Sequence, residues 1–130
     1  MALGDRMYMA YSSKDGHKHW GTALADFSQH TPHEQSFNKY LMSNTTDHLN
    51  VKIARYGSDQ LLISWLEKQD WKRRFQLYDG NGKPLGPAEV LPVRASPRAD
   101  MKTLPSGDVV WAHAWGANKK ILKIIQLQSN

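Results

Sequence analysis

The sequence predicts an all-β fold built from antiparallel sheets. Short runs rich in β-branched and aromatic residues are bounded throughout by Gly, Pro, Asn and Asp, which is typical of strands joined by turns. Outside residues 34–42, no stretch of ten or more residues carries strong helical periodicity. In addition, one segment of the chain repeats itself about 50 residues later, which indicates a repeated structural unit.

The repeat aligns Val51–Tyr78 with Met101–Gln128 without a gap. The identical pairs are Lys52 with Lys102, Gly57 with Gly107, Trp65 with Trp115, Gln76 with Gln126 and Leu77 with Leu127. Their positions matter more than their number, because the glycine marks a turn, the tryptophan ends an apolar run, and Gln-Leu closes the next run. A period of roughly 20–50 residues is typical of solenoids, propellers and other arrays.

Four strands are predicted in the central repeat: Val51–Tyr56, Gln60–Leu66, Trp71–Tyr78 and Ala88–Leu91. Alternation places Leu61, Ile63 and Trp65 on one face of the second strand. It also predicts that one face of the third strand carries Trp71, Arg73, Phe75 and Leu77. The segment 79–82, Asp-Gly-Asn-Gly, predicts a tight hairpin turn, since Gly and Asn tolerate positive φ.

The flanking repeats are less complete. The C-terminal one predicts three strands, Ala99–Leu104, Val109–Trp115 and Lys119–Gln128, and no fourth. The N-terminal one predicts strands at Arg6–Ser12 and His19–Asp26, which correspond to the second and third strands of the central unit. Glu34–Met42 follows as a fourth strand or, alternatively, as a short helix.

Four antiparallel strands in each unit of about 40–50 residues are typical of propeller blades. The sequence therefore predicts one domain, or a fragment of one, with about two and a half to three propeller-like blades. Its units are residues 1–48, 49–98 and an incomplete 99–130. We expect Gly57, Gly107, Trp65 and Trp115 to be structural, the glycines in turns and the tryptophans in blade cores.

Composition limits the function classes. The 130 residues, 40% hydrophobic and 22% charged, suit a single globular domain. The chain has no cysteine, which excludes disulfides and thiolate metal sites. A formal net charge of +5 permits anionic partners without requiring them. There is no apolar run of about 18 residues, so no membrane span is predicted.

A resemblance to a known family arises between the first two predicted strands. The segment Ser13–Trp20 reads Ser-Lys-Asp-Gly-His-Lys-His-Trp. It resembles the Asp-box of bacterial neuraminidase-type repeats, which reads Ser-x-Asp-x-Gly-x-Thr-Trp. Ser13, Asp15 and Trp20 occupy the matching positions. In that family the box lies in the hairpin between the second and third strands of a propeller blade. The strands predicted at Arg6–Ser12 and His19–Asp26 give the segment the same position in this chain.

The resemblance concerns the fold rather than catalysis. It implies that Asp15 and Ser13 knit the hairpin together and that Trp20 packs into the blade. His17 and His19 stand where the family has glycine and threonine, and the later repeats lack the box. Sialidase catalysis would further require an arginine cluster, a tyrosine nucleophile and acidic partners from several blades, which fewer than three full blades do not supply.

Candidate ligand-binding residues are those that differ between the repeats, because there the scaffold does not dictate the side chain. Trp111 and His113 replace Leu61 and Ile63 and share one strand face with Trp115. A tryptophan offers a flat apolar face to a sugar ring, and a histidine offers a donor and an acceptor. The alternative is that both fill space in the core. Arg74 is the third candidate ligand-binding residue.

Two other patterns are interpreted as surface features. The pairs His17/His19 and His30/His33 have spacings that metals use, but neither has the three or four convergent ligands that zinc needs, so no metal site is predicted. The run 71–75, Trp-Lys-Arg-Arg-Phe, mixes aromatic and basic residues. On a strand its charges divide between two faces, which argues against nucleic-acid binding and favours a solvated surface.

The sequence favours a non-catalytic binding or scaffolding module, with glycan as the leading ligand and no catalytic residues or cofactor. The alternatives are a fragment of a sialidase-like or other glycoside hydrolase propeller and a platform for an acidic protein partner. An open stack of blades leaves unpaired sheet edges and a half-covered core. We therefore expect either that two copies of the chain form a homodimer that completes a ring, or that the chain is part of a longer propeller. No secretory signal is evident, so the location is cytoplasmic, or extracellular if a leader was removed.

Overall fold

The chain forms antiparallel sheets only. The computed structural model describes residues 1–14, 16–28, 38–41, 44–91, 100–115 and 121–129. Eleven strands and no helix occur among them, which confirms the prediction of an all-β fold with antiparallel sheets. In this described part of the chain there is consequently no helix with the length and apolarity that a membrane crossing requires.

The first sheet contains four strands in sequence order. They are β1 (Ala2–Leu3), β2 (Arg6–Ser13), β3 (Gly21–Ser28) and β4 (Asn38–Leu41). The two strands predicted from alternation are present, and the described part of Glu34–Met42 is a strand rather than a helix. The sequence did not predict β1, because two residues are too short to show alternation. The pairing of β1 with β2 is reinforced where the Met1 amine donates to the Tyr8 carbonyl oxygen at 3.0 Å.

The central sheet is a meander of β5 (His48–Tyr56), β6 (Gln60–Glu67), β7 (Lys72–Tyr78) and β8 (Glu89–Val90). One prediction was wrong here: Trp71 does not share a strand face with Arg73. It lies in the β6–β7 turn with a φ of 55° and is 62% exposed. The Trp71 N–H donates to the Glu67 carbonyl oxygen at 2.8 Å, which closes the turn before β7 begins.

The third sheet has three strands in the order β11-β10-β9, and the described residues contribute no fourth. The strands are β9 (Lys102–Thr103), β10 (Val109–Trp115) and β11 (Ile121–Leu127). The pairing register differs from that of the central sheet. Lys52 pairs with Ser64, whereas its repeat equivalent Lys102 pairs with Val110, because the two hairpin loops differ in length. The repeats therefore share a topology but not a residue-by-residue register.

Strand β6 is buried on both faces. Leu61, Ile63 and Trp65 pack on one side against Tyr8 and Leu24 of the first sheet. Full burial of such a side chain stabilises the fold by roughly 1.5–3 kcal/mol. This face is the one predicted from the alternation of the sequence.

The opposite face of β6 contacts the third sheet. Leu62 packs with Ala54 and Leu91, and with Val109 and Trp111 of β10. The first and third sheets therefore pack against opposite faces of the central sheet. A continuous apolar run from Leu61 to Leu66 is what a strand buried on both faces requires.

Two of the hydrogen bonds that join neighbouring sheets are donated by side-chain hydroxyls to backbone carbonyl oxygens. The Tyr8 hydroxyl donates to the Gly80 carbonyl oxygen in the β7–β8 turn at 2.6 Å, which joins the first and central sheets. The Thr103 hydroxyl donates to the Arg55 carbonyl oxygen at 2.7 Å, which joins the third sheet to the central one. Each bond satisfies a backbone carbonyl that strand pairing leaves available.

Candidate functional site

A polar cleft of about 380 Å³ opens on the central sheet, beside residues 44 and 45 of the segment that precedes β5. It has side-chain amides, a hydroxyl, an ion pair and two rings in its wall. Its lining residues are Asn44, Thr45, His48, Trp65, Glu67, Gln69, Arg74, Gln76 and Ala88. The size lies within the usual range of small-molecule sites.

Strand pairing brings the principal cleft residues onto one face. Trp65 and Arg74 are directly opposite each other in the antiparallel β6–β7 pair. Glu67 and Gln76 lie two residues further along their respective strands, so their side chains share that face. The sequence thus places a ring, a carboxylate, a guanidinium and an amide together without any long-range contact.

Arg74 is held by two carboxylates. Its Nη1 and Nη2 donate to the Oδ1 and Oδ2 atoms of Asp70 at 3.0 and 2.7 Å, a bidentate pair within the β6–β7 turn. Its Nη1 also lies 3.1 Å from Glu67 Oε2. The hydrogen bonds from Arg74, together with the Lys72 N–H, lower the pKa of Asp70 to about 2. The Asp70 carboxylate in turn raises the pKa of Arg74.

Glu67 accepts hydrogen bonds at both of its oxygens. The Trp65 indole N–H donates to Oε1 at 3.2 Å, and the Gln69 amide donates to Oε2 at 2.8 Å. With Arg74 beside Oε2, three donors converge on one carboxylate. The orientation of Glu67 in the wall of the cleft is therefore fixed before any ligand arrives.

His48 links the first sheet to the cleft. It is 3% exposed, and its ring stacks on Trp65 with centroids 5.0 Å apart and planes 19° apart. Its Nδ1 lies 2.9 Å from the Thr22 hydroxyl, and its Nε2 lies 3.6 Å from Glu67 Oε1. The nearby carboxylate favours the tautomer with the proton on Nε2, so that Nδ1 accepts from Thr22. Burial lowers the pKa of His48, although Glu67 acts in the opposite direction.

Thr22, His48 and Glu67 have the composition of a hydroxyl–imidazole–carboxylate triad, but their geometry excludes that role. Thr22 is 0% exposed, so its hydroxyl cannot reach a substrate. A nucleophile must be able to approach the reacting atom at bonding distance. The three residues instead form a buried polar joint between the first and central sheets.

Two amides of the cleft are also fixed by the backbone. The Gln76 amide donates to the Gly86 carbonyl oxygen at 2.8 Å, while its oxygen accepts from the Tyr78 hydroxyl at 2.8 Å. The Asn44 amide donates to the carbonyl oxygens of Trp20 and Thr46 at 3.0 and 2.7 Å. Within the described ranges, no three His, Asp or Glu side chains converge in a way that could hold a metal ion.

Of the two ligand-binding candidates from the sequence whose side chains the structure describes, one lies in the cleft. Arg74 lines it, next to Trp65, which was predicted to be structural. Trp111 is 4% exposed and packs in the core between the central and third sheets, where its face is not available to a ligand. The side chains of His113 and Trp115 lie outside the described residues.

The residues of the Asp-box-like segment are placed at the β2–β3 connection. Ser13 ends β2 and pairs with Gly21, and Asp15 lies outside the described residues. The Trp20 side chain is 44% exposed, and the backbone N–H of Trp20 donates to Asp47 Oδ1 at 2.9 Å. This hydrogen bond is the largest contribution to the lowered pKa of Asp47.

Sequence reasoning missed five residues as members of the site: His48, Glu67, Gln69, Asp70 and Gln76. The spacing of Trp65 and Glu67 along a strand, combined with the β6–β7 pairing, could have placed Glu67 beside Arg74. His48 carried no such signal, because its partner Thr22 comes from another sheet.

Comparison of the chain with known proteins gave no match to any family model, curated protein or solved structure.

Proposed function

We propose that this chain is a non-catalytic binding module whose polar cleft recognises a glycan. The observation that carries the proposal is the cleft itself, in which a carboxylate, a guanidinium and two amides are fixed around about 380 Å³ of open space. Preorganised groups cost little conformational entropy when a ligand binds. Sugar hydroxyls both donate and accept hydrogen bonds, which matches a wall that contains both kinds of group.

Hydrolysis is a poorer fit to the same residues. A glycosidase needs one carboxylic acid that is protonated at working pH and a second carboxylate across the scissile bond. Asp70 has a pKa of about 2 and therefore stays ionised. Glu67 and Asp70 both bind the same guanidinium, so they do not face each other across an open space. The geometry favours binding over a glycoside hydrolase that uses a pair of carboxylates.

A glycan array followed by variants of the cleft tests this proposal. Arg74→Ala removes the group on which Glu67 and Asp70 converge, and we expect the affinity for any array hit to fall at least about tenfold. Lys83→Ala is the matched control, since Lys83 is an exposed cation outside the cleft lining. Array hits that Arg74→Ala and Lys83→Ala weaken equally would contradict the assignment of the cleft.

We further propose that the three sheets are consecutive propeller-type blades. Each is an antiparallel meander in sequence order, and the central one is covered on both faces by its neighbours. The repeat-related glycines Gly57 and Gly107 also lie against each other, as equivalent turns of adjacent blades would.

A second copy of the chain is the proposed means of completing the ring. Tyr8 of β2 and Trp111 of β10 are buried in the two cores. Met9, next to Tyr8 in β2, is exposed on the outer face of the first sheet. Ile124 of β11 is exposed on the outer face of the third sheet, because it pairs with Ala112 and not with Trp111. Ring closure would bury both apolar side chains. Light scattering coupled to size-exclusion chromatography should give a dimer that Met9→Lys and Ile124→Lys each dissociate. A monomer at all accessible concentrations would contradict ring completion.

A further inference from the structure

Two tryptophans near the cleft expose much of their side chains to solvent. Trp71 is 62% exposed and Trp20 is 44% exposed, whereas Trp65 and Trp111 are buried. An indole has a large apolar surface, so a ring left in water forgoes the stabilisation that burial would give. Neither exposed ring is part of the lining of the cleft. The backbones of both residues are nevertheless bonded to that lining.

Trp71 is attached to the cleft through the β6–β7 turn. Its N–H donates to the Glu67 carbonyl oxygen at 2.8 Å, and the Glu67 side chain lines the cleft. The preceding residue, Asp70, holds the guanidinium of Arg74 through two hydrogen bonds. Trp71 therefore lies at the rim of the cleft, one residue away from the carboxylate that orients Arg74.

Trp20 is attached to the same cleft from the β2–β3 connection. Its carbonyl oxygen accepts from the His48 N–H at 2.7 Å and from the Asn44 side-chain amide at 3.0 Å. Both His48 and Asn44 line the cleft. The backbone N–H of Trp20 donates in turn to Asp47 Oδ1. Trp20 therefore also lies at the rim, and its backbone is fixed on both sides.

The two rim positions belong to chain segments that backbone pairing holds in a fixed order. The path between them runs from Trp20 to His48, from His48 to its β6 partner Glu67, and from Glu67 to Trp71. Each step joins neighbouring segments, which lie about 4.8 Å apart, so the path measures roughly 14 Å. A ligand that contacts both rim positions and the cleft is therefore longer than a single sugar ring.

The backbone conformation of Trp71 favours glycine. Its φ is 55°, where a bulky L-residue is strained because its Cβ approaches a carbonyl oxygen. The other described residues with positive φ are glycines or, at Asn50, an asparagine, which tolerates this region. The turn thus requires the conformation but not the tryptophan. Backbone strain of this kind clusters at ligand-binding sites.

From these observations we infer that the ligand is an oligosaccharide and that Trp71 and Trp20 stack on sugar rings outside the cleft. This inference rests on the proposed function and adds the length of the ligand and two contact residues. A pyranose ring has an apolar C–H face and a polar edge. The indoles match the face, and the fixed polar groups of the cleft match the edge. A tryptophan has only two χ angles, so it loses little conformational entropy on binding.

Titration calorimetry of the unmodified protein with four series of sugars tests the length of the ligand. The probes are the cello-, xylo-, manno- and chito-oligosaccharides, each from the monosaccharide to the hexasaccharide. In at least one series the affinity should rise by at least about tenfold with length, because each ring that stacks on an indole adds a favourable contact.

Trp71→Gly distinguishes a ligand contact from a structural residue. It should weaken binding of the hexasaccharide by about tenfold and leave binding of the shortest sugar that binds unchanged. Because glycine adopts positive φ without strain, the same variant should raise the midpoint of urea unfolding. A tryptophan that only stabilised the turn would give a lower midpoint instead. Trp71→Tyr keeps an aromatic ring and should retain part of the affinity.

Trp20→Ala and Leu85→Ala complete the comparison. Trp20→Ala should also weaken binding of the hexasaccharide by about tenfold, since it removes the second indole but keeps the backbone hydrogen bonds. Leu85 is 48% exposed, lies outside the cleft lining and is bonded to Leu77, at the end of β7 far from Trp71. Leu85→Ala is therefore the matched control and should change neither affinity.

The outcomes separate this inference from the proposed function. Equal affinities for the monosaccharide and the hexasaccharide in every series that binds would overturn the inference while leaving glycan binding intact. Unchanged binding of the hexasaccharide by folded Trp71→Gly and Trp20→Ala variants would also overturn it. If no member of any series binds, the inference fails, and the glycan array decides the proposed function separately.

Discussion

The N–H of Gly57 donates a hydrogen bond to the carbonyl oxygen of Gly107 at 2.9 Å. The two glycines occupy the same position in the repeated sequence, and each has a positive φ, 63° and 92° respectively. A Cβ atom on Gly107 would lie 2.7 Å from the Gly57 Cα. Equivalent turns of the two repeats are therefore in direct contact where the central and third sheets meet.

This contact predicts a graded response to alanine substitution. Gly57→Ala should cost about 1–2 kcal/mol of unfolding free energy, because an L-residue is strained at positive φ. Gly107→Ala adds a collision with backbone atoms and should cost more. Gly86→Ala is the control, since a Cβ there meets nothing within 4 Å and φ is not positive. Urea unfolding gives the three values, and equal losses at Gly107 and Gly86 would contradict the packing.

The buried His48 predicts a loss of stability in acid. Its folded-state pKa lies below the ordinary value, so the unfolded chain takes up the proton more readily. The contribution is fully present above about pH 6.5 and is lost as pH falls below it, by at most about 1.4 kcal/mol per pH unit.

Denaturant unfolding of the wild type and His48→Asn between pH 7.5 and 5 measures this contribution. Asparagine keeps an acceptor for Thr22 but does not titrate, so its stability should depend less on pH. The exposed His17→Asn is the control and should retain the wild-type slope. Identical slopes for wild type and His48→Asn would show that His48 is not buried in its neutral form.

The hydrogen bond from the Tyr8 hydroxyl should contribute measurably to the unfolding free energy, because it joins the first and central sheets. Tyr8→Phe removes the donor to the Gly80 carbonyl oxygen and should destabilise the protein by about 1 kcal/mol, since that oxygen loses its partner. The ring packing in the core would be retained. Tyr11→Phe, on the opposite face of β2, serves as the reference and should change the unfolding free energy by less.

Much of the strand layout follows from the sequence. Apolar runs such as Leu61–Leu66 and turn residues such as Gly57 specify their local structure directly, and those strands lie where alternation predicts them. Trp71 was misplaced because apolarity suggested a strand residue. The backbone hydrogen bond from Trp71 to Glu67 instead ends the turn there. Strand β1 is held mainly by its partner β2, which no local pattern reveals.

The candidate site was less accessible to sequence reasoning. Arg74 was identified, but the residues that determine its chemistry were not, because Asp70 and Glu67 look like ordinary surface acids of a turn. Trp111 was expected to face a ligand, since it differs from Leu61 in the repeat. In the structure both side chains are buried, so the difference reflects the space available in two separate cores.

The indole N–H resonances of the protein test the central claim, that the ligand site is the cleft at Glu67 and Arg74, most directly. Trp65 donates its N–H to Glu67 in the cleft wall, whereas Trp111 is buried in the other core. After assignment by Trp→Phe substitution, the spectrum is recorded during titration with a glycan that the array identifies. We predict that the Trp65 resonance shifts in proportion to occupancy while that of Trp111 stays in place. A shift at Trp111 with none at Trp65 would contradict the account.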